Sequence, residues 1–269
     1  MGLLTEENVS TPKKTKKTQS RRWLSHAFPH LAFAVVLFGS WEVYGQLADV
    51  LYLPPVSAIL AALVEIIIDA TLVVALAESL QLLVIGFASA LAISFVLGVL
   101  IGRYRLFDRT VSPFMNALYA TPDVALIPII LVWFGFGMPG RITVVFLSCF
   151  FPMLINFYTG IREAPRDLQE VARSFGCHGQ LSLLVRIVIP SATPYLLSGI
   201  RLGIGRAIVG MALAEVYLRL SGIGALITTY GSSFQMAHLF AAILPLPILG
   251  IVLTKMVQYF ENRIPAAQS

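Results

Sequence analysis

The chain has 269 residues, of which 57% are hydrophobic and only 12% charged, with a formal net charge of +5. A soluble surface needs about 25% charged residues, so this composition and a mean hydropathy of +0.82 exclude an ordinary soluble domain. Uncharged runs long enough to cross a bilayer, which takes ~20 residues, identify an integral membrane protein.

Residues 1–22 form a polar, lysine-bearing segment (Lys13, Lys14, Lys16, Lys17) closed by Arg21 and Arg22, with nothing to bury. It reads as a disordered basic tail. The apolar stretch after Arg22 is too long for a signal-peptide core, so it reads as helix one, from Leu24 to about Leu47 between Trp23 and Trp41. Leu53-Pro54-Pro55 breaks the chain, and Val56 to Asp69, interrupted by Glu65, reads as a short amphipathic helix lying on the membrane.

Helix two covers Ser79 to Gly102, with a Gly98/Gly102 spacing that permits close helix approach. Arg103, Arg105 and Arg109 stop it. Helix three covers about Met115 to Phe134 with Asp123 inside it, and Gly135 to Gly140 is a turn. Helix four is Ile142 to Ile161, and Arg162 to Arg186 then holds seven charges in twenty-five residues. Helix five is Ile187 to Ala214, an outer loop with re-entrant character occupies 216–236, and helix six runs from about Ala237 to Tyr259 across Pro245 and Pro247. The fold expected is therefore all-α: a six-helix membrane domain over 23–264, followed by a short tail at 265–269.

Fifteen of the nineteen Lys and Arg residues fall on one side of this topology if the N-terminus is cytoplasmic. Arg141 and Arg219 fall on the other side, and Arg201 and Arg206 lie within a span. The positive-inside rule then places both termini and the polar segment after helix four in the cytoplasm. Gathering of the bases into short loops also argues against a nucleic-acid partner.

Within the polar segment, Pro165 suits a helix start, Glu163, Asp167 and Glu170 favour its first turns, and Gly176 is placed to end it. Asp167, Glu170 and Ser174 share one face, and Val171 and Phe175 another. Two readings stand on periodicity alone, a helix docked on a soluble partner and an ordinary amphipathic loop.

Glu170-Val171-Ala172-Arg173-Ser174-Phe175-Gly176, then Ile187-Val188-Ile189-Pro190 and Pro194 to Arg201, resembles the cytoplasmic loop of ABC importer permeases. Leu53-Pro54-Pro55, Thr121-Pro122 with Pro128, Trp133 to Gly137, Ala214-Glu215 and Ser221-Gly222-Ile223-Gly224 extend the likeness over residues 50–260, toward permeases for nitrate, sulfonate, taurine and pyrimidine precursors. Val171 stands where that motif usually has its second alanine. The resemblance implies a coupling helix between helices four and five, with Asp167, Glu170, Ala172 and Gly176 meeting an ATPase. It implies two copies of that ATP-binding subunit, a second copy of this chain, an extracytoplasmic solute-binding protein and surrounding lipid.

No G-x-x-x-x-G-K-[ST] loop occurs, so nucleotide handling falls to a partner, and no cofactor is expected. The histidines (His26, His30, His178, His238) and cysteines (Cys149, Cys177) form no ligand set, and no acid, base and nucleophile cluster suggests an enzyme. Ionisable groups inside spans are candidates for the translocation path: Asp123, Arg201 and Glu215, with Trp133 near the outer cavity. Against these stand blander readings: Asp123 capping the segment after Pro122, Arg201 and Glu215 snorkelling to opposite interfaces. The alternative class is an ion-coupled secondary transporter acting alone, which would usually carry two related halves.

Overall fold

The computed structural model describes residues 17–48, 51–177 and 179–263, and every described element is helical. His178, residues 1–16 of the expected tail and the C-terminal segment 265–269 lie outside the described residues. Helix α1 (Lys17–Leu47) begins within the stretch read as tail. It is followed by α2 (Val56–Ile68), α3 (Thr71–Arg103), α4 (Arg105–Tyr119), α5 (Asp123–Phe134), α6 (Met138–Arg162) and α7 (Arg166–Ser174). A short α8 (Gln180–Leu183) runs through a π turn at Leu184–Val188 into α9 (Ile189–Leu218), and α10 (Ile223–Ser232), α11 (Met236–Ile243) and α12 (Pro245–Arg263) complete the chain.

The chain divides into two compact units, residues 1–58 and 59–269. In the first, the turn after α1 is tied by side chains. Trp41 Nε1 donates to the Pro54 carbonyl (3.1 Å), and the Glu42 carboxylate accepts from the Ser57 amide (2.9 Å) and hydroxyl (2.6 Å). One orphan amide at the start of α2 is thereby satisfied by a residue from the preceding helix, which also accepts from the hydroxyl beside it.

The second unit is organised around α6, which packs most extensively on α3 and α9. Its Val145, Cys149, Met153, Leu154 and Phe157 are all buried, together with Leu82 and Ala90 of α3 and Ala207, Met211 and Ala214 of α9. The opposite face of α3 leaves Val73, Val74, Val84 and Val96 exposed, as a lipid-facing surface requires. Lipid tails are as apolar as these side chains, so close packing rather than exclusion from water holds the three helices together. Small residues permit that approach: a Cβ on Gly98 would stand 2.6 Å from Phe157 Cβ, and one on Gly102 would stand 2.7 Å from the Tyr158 carbonyl oxygen. Gly98→Val is expected to destabilise the fold by about 1–3 kcal/mol through overpacking, read as a lowered melting temperature of the purified chain.

Four helical segments, Thr71–Arg103, Met138–Arg162, Gln180–Leu218 and Met236–Tyr259, are long and apolar enough to span a membrane. A bent pair among the described residues, Thr110–Tyr119 with Asp123–Phe134 at 102° to each other, makes a fifth if the two helices are one broken span. The single helix three expected over Met115 to Phe134 is thus corrected to two helices. Pro122 is the cause: it disfavours helical backbone in Thr121, and its own φ of −60° and ψ of 123° turn the chain before α5 starts at Asp123.

Candidate functional site

Three groups of polar residues stand out against this apolar frame.

The first is α7. Pro165 precedes it and no residue of Arg166–Ser174 is buried. The helix ends as its sequence suggests: Gly176 takes φ +88°, its amide donates to the Arg173 carbonyl (3.0 Å), and the Cys177 amide donates to the Ala172 carbonyl (3.0 Å). These two bonds satisfy carbonyls at the helix end, and the left-handed backbone between them favours glycine. Asp167 and Glu170 are exposed, as are Leu168, Val171 and Phe175, the last at 88%. Ala172 lies in a cleft of about 310 Å³ between α7 and the following helix, with Arg186, Ile187 and Pro190 on its far wall. The helix therefore has one side toward its own domain and leaves carboxylates and a phenyl ring uncovered on the other.

The second group joins the far ends of α3, α6 and α9. Glu215 is fully buried, and its carboxylate accepts from Ser79 Oγ (2.7 Å) and from the Gly224 amide (2.9 Å). Arg141, buried in the first turn of α6, places Nη2 3.6 Å from Glu215 Oε1 and donates from Nη1 to Ser221 Oγ (2.8 Å). The Ile223 amide donates to Ser79 Oγ and the Gly222 amide to Glu78 Oε2 (3.0 Å). The Ser221-Gly222-Ile223-Gly224 loop is thus held by one arginine and two carboxylates, with Gly222 at φ +87°. Glu215 snorkelling to an interface does not describe this placement. Its side chain and that of Arg141 are turned inward and joined to the same loop.

The third group lies at the break between α4 and α5. A cavity of about 300 Å³ is lined by Tyr119, Thr121 and Asp123 from the break, Ser148 and Phe151 of α6, and Arg206 of α9. Arg206 stands twelve positions before Leu218, roughly 18 Å along the helix, and so near the middle of the span. A charge at that depth faces a cavity or a partner, because isolation in hydrocarbon is costly.

The remaining expected residues are separate from these groups. Arg201, within α9, pairs with Glu261 near the C-terminal end of α12. Trp133 is 76% exposed near the end of α5. Sequence reading left Arg206, Arg141 and Ser148 out of the site; for Arg206, a second arginine inside helix five was the available signal.

Residues 94–265 match the family described as binding-protein-dependent transport system inner membrane component. A protein of Methanocaldococcus jannaschii described as an ABC transporter permease is 30% identical over 86% of this chain and 88% of its own length. The aliphatic sulfonates transport permease protein SsuC of Bacillus subtilis, so described, is 29% identical over 98% of this chain and 94% of its own. The formylaminopyrimidine transport permease ThiX of Halalkalibacterium halodurans is 26% identical over 86% and 92%. In fold, the chain is similar to the inward-facing MetNI methionine ABC transporter, with a TM-score of 0.50, 19% identity, and 69% of this chain and 94% of that one covered. This chain therefore belongs to the binding-protein-dependent inner membrane components, the membrane-spanning permease subunits of ATP-driven importers.

Proposed function

We propose that residues 23–264 form a six-span permease, with α1 as the first span, that pairs with a second copy of itself. Two ATP-binding subunits dock on its cytoplasmic face and a solute-binding protein on its outer face. Both termini are cytoplasmic, and the chain itself performs no hydrolysis. The observation that carries this reading is α7, an exposed nine-residue helix closed by Gly176 and set between two core helices. Asp167, Glu170 and Gly176 form its contact with the ATPase, and Ala172 forms its contact with its own domain.

Closure of the ATPase pair would push α7 against the segment that begins α9. α6 ends at Arg162 and α9 is entered through the π turn at Leu184–Val188, so displacement of α7 is delivered to both helices that build the core. The π turn is an irregular place in an otherwise continuous helix, of the kind found at functional sites. Asp123 and Arg201 line the path on this reading, while Trp133 and Glu215 act at its outer edge. The relatives' names include transport of aliphatic sulfonates, formylaminopyrimidine and, for cyanobacterial proteins, nitrate import. A small polar solute of that range is proposed here.

Orientation is tested with an impermeant thiol reagent on intact cells. Cysteine at position 138, introduced as Met138→Cys in a Cys149→Ser, Cys177→Ser background, is expected to label, and native Cys177 to label only in inverted vesicles. Labelling of Cys177 from outside would overturn the orientation and with it the placement of α7 against an ATPase.

A further inference from the structure

We propose that the cavity at the α4–α5 break is a solute subsite for amphoteric molecules, with Arg206 receiving an anionic group, Asp123 an amino group, and Ser148 a polar atom between them. It rests on the permease reading and adds to it the chemical class of the solute and the residues that recognise it.

Asp123 and Arg206 line the same cavity, yet no ion pair within 4 Å joins them, and neither makes a hydrogen bond within the described residues. Two opposite charges that share a cavity within the membrane domain without pairing, Asp123 half-buried and Arg206 exposed, are each open to a partner. Asp123 is the first residue of α5, where an acid suits the helix dipole, but its carboxylate accepts no bond from the amides of that turn and remains open to a ligand. Ser148 supplies an independent indication. It is 4% exposed, lines the cavity, and its Oγ has no hydrogen-bond partner. A serine inside a helix ordinarily bonds the carbonyl one turn back, as Thr143 does to Pro139 (2.9 Å). An unbonded buried hydroxyl is costly unless something else completes it.

The charge balance of the wall selects among solutes. An inorganic anion such as nitrate would gain Arg206 but would bring its charge into the cavity that already holds the Asp123 carboxylate. A purely cationic solute meets the converse problem at Arg206. A molecule bearing both groups satisfies both residues, and a cavity of about 300 Å³ is at the small end of the range for organic ligands.

The test uses the permease assembled with its ATP-binding subunits in lipid nanodiscs, without the binding protein, so that only the permease selects. Equilibrium binding of radiolabelled 2-aminoethanesulfonate and ethanesulfonate is compared. The amino compound is expected to bind tighter by on the order of tenfold or more, as a charge-assisted bond implies. Asp123→Asn should abolish that preference and leave ethanesulfonate binding equal or tighter, Arg206→Gln should weaken both, and Ser148→Ala should weaken both by a few-fold. A preference that survives Asp123→Asn, or no binding of either probe, overturns the proposal. Assembly lost in both single charge variants and restored in the Asp123→Asn/Arg206→Gln double variant also overturns it, since the charges would then serve each other or the second copy. Uptake with ATP and binding protein, run in parallel, separates the two levels. Its absence in the wild type counts against the permease reading, whereas intact uptake with the solute preference unmoved by Asp123→Asn counts against the subsite alone.

Discussion

Glu215→Ala is expected to be the most damaging single substitution in the membrane domain, costing about 3–5 kcal/mol, because it breaks a buried ion pair from one side. Arg141 would keep its charge in a site where its side chain is 8% exposed, and both the Ser79 hydroxyl and the Gly224 amide would lose an acceptor. The loop from Ser221 to Gly224 would then be held to α9 by little besides its backbone. Glu215→Gln keeps an acceptor for Ser79 or Gly224 while removing the charge opposite Arg141, and should fall between wild type and Ala. Thermal unfolding of the detergent-purified complex reads this directly. Equal melting temperatures for wild type, Gln and Ala would show that Glu215 does not anchor the loop.

Charge reversal on α7 has the second-largest expected effect, and it falls on function rather than stability. Glu170 is exposed and Gly176 has open space around the position a Cβ would take, so neither substitution disturbs the chain's own core. Glu170→Arg should reduce solute uptake by on the order of tenfold or more, because a like charge at an interface costs several kcal/mol. Gly176→Asp should do the same through its backbone: at φ +88° a side chain is strained, and the turn that ends α7 would shift. Both chains should remain in the membrane at wild-type level, with ATP hydrolysis either persisting without transport or lost through failed assembly. Wild-type uptake in both variants would place the coupling contact elsewhere.

Much of this architecture was readable before any coordinates, because lipid as a solvent leaves a coarse mark on sequence. The C-terminal end of α6 follows from where its uncharged run stops at Arg162, and the end of α7 follows from a glycine after an amphipathic turn, whereas the start of α6 before Arg141 and the start of α12 at Pro245 do not follow from charge. Periodicity could not show the break at Thr121-Pro122 as a 102° turn, since apolar residues continue on both sides of it and only backbone sterics at the proline redirect the chain. Nor could it pair residues distant in sequence. Arg141 has the surroundings of a loop arginine, a turn on one side and an apolar run on the other, and its inward course is fixed by Glu215 and Ser221, seventy-four and eighty positions away. Arg206 and Asp123 share a cavity because α9 crosses beside the broken pair, which no local pattern encodes. The same limit explains Ser148, an unremarkable serine in a helical run until its missing partner is seen.

The central claim is that this chain moves solute only when an ATPase drives it through α7. The most direct measurement is initial uptake into proteoliposomes of a panel comprising nitrate, aliphatic sulfonates with and without an amino group, and formylaminopyrimidine. Vesicles containing this chain, its ATP-binding subunits and the binding protein are compared with vesicles containing this chain alone under a proton or sodium gradient. ATP-dependent uptake by the full assembly, absent without ATP and absent from the lone chain under either gradient, is the predicted result. Gradient-driven uptake by the lone chain would contradict it and establish an ion-coupled carrier instead.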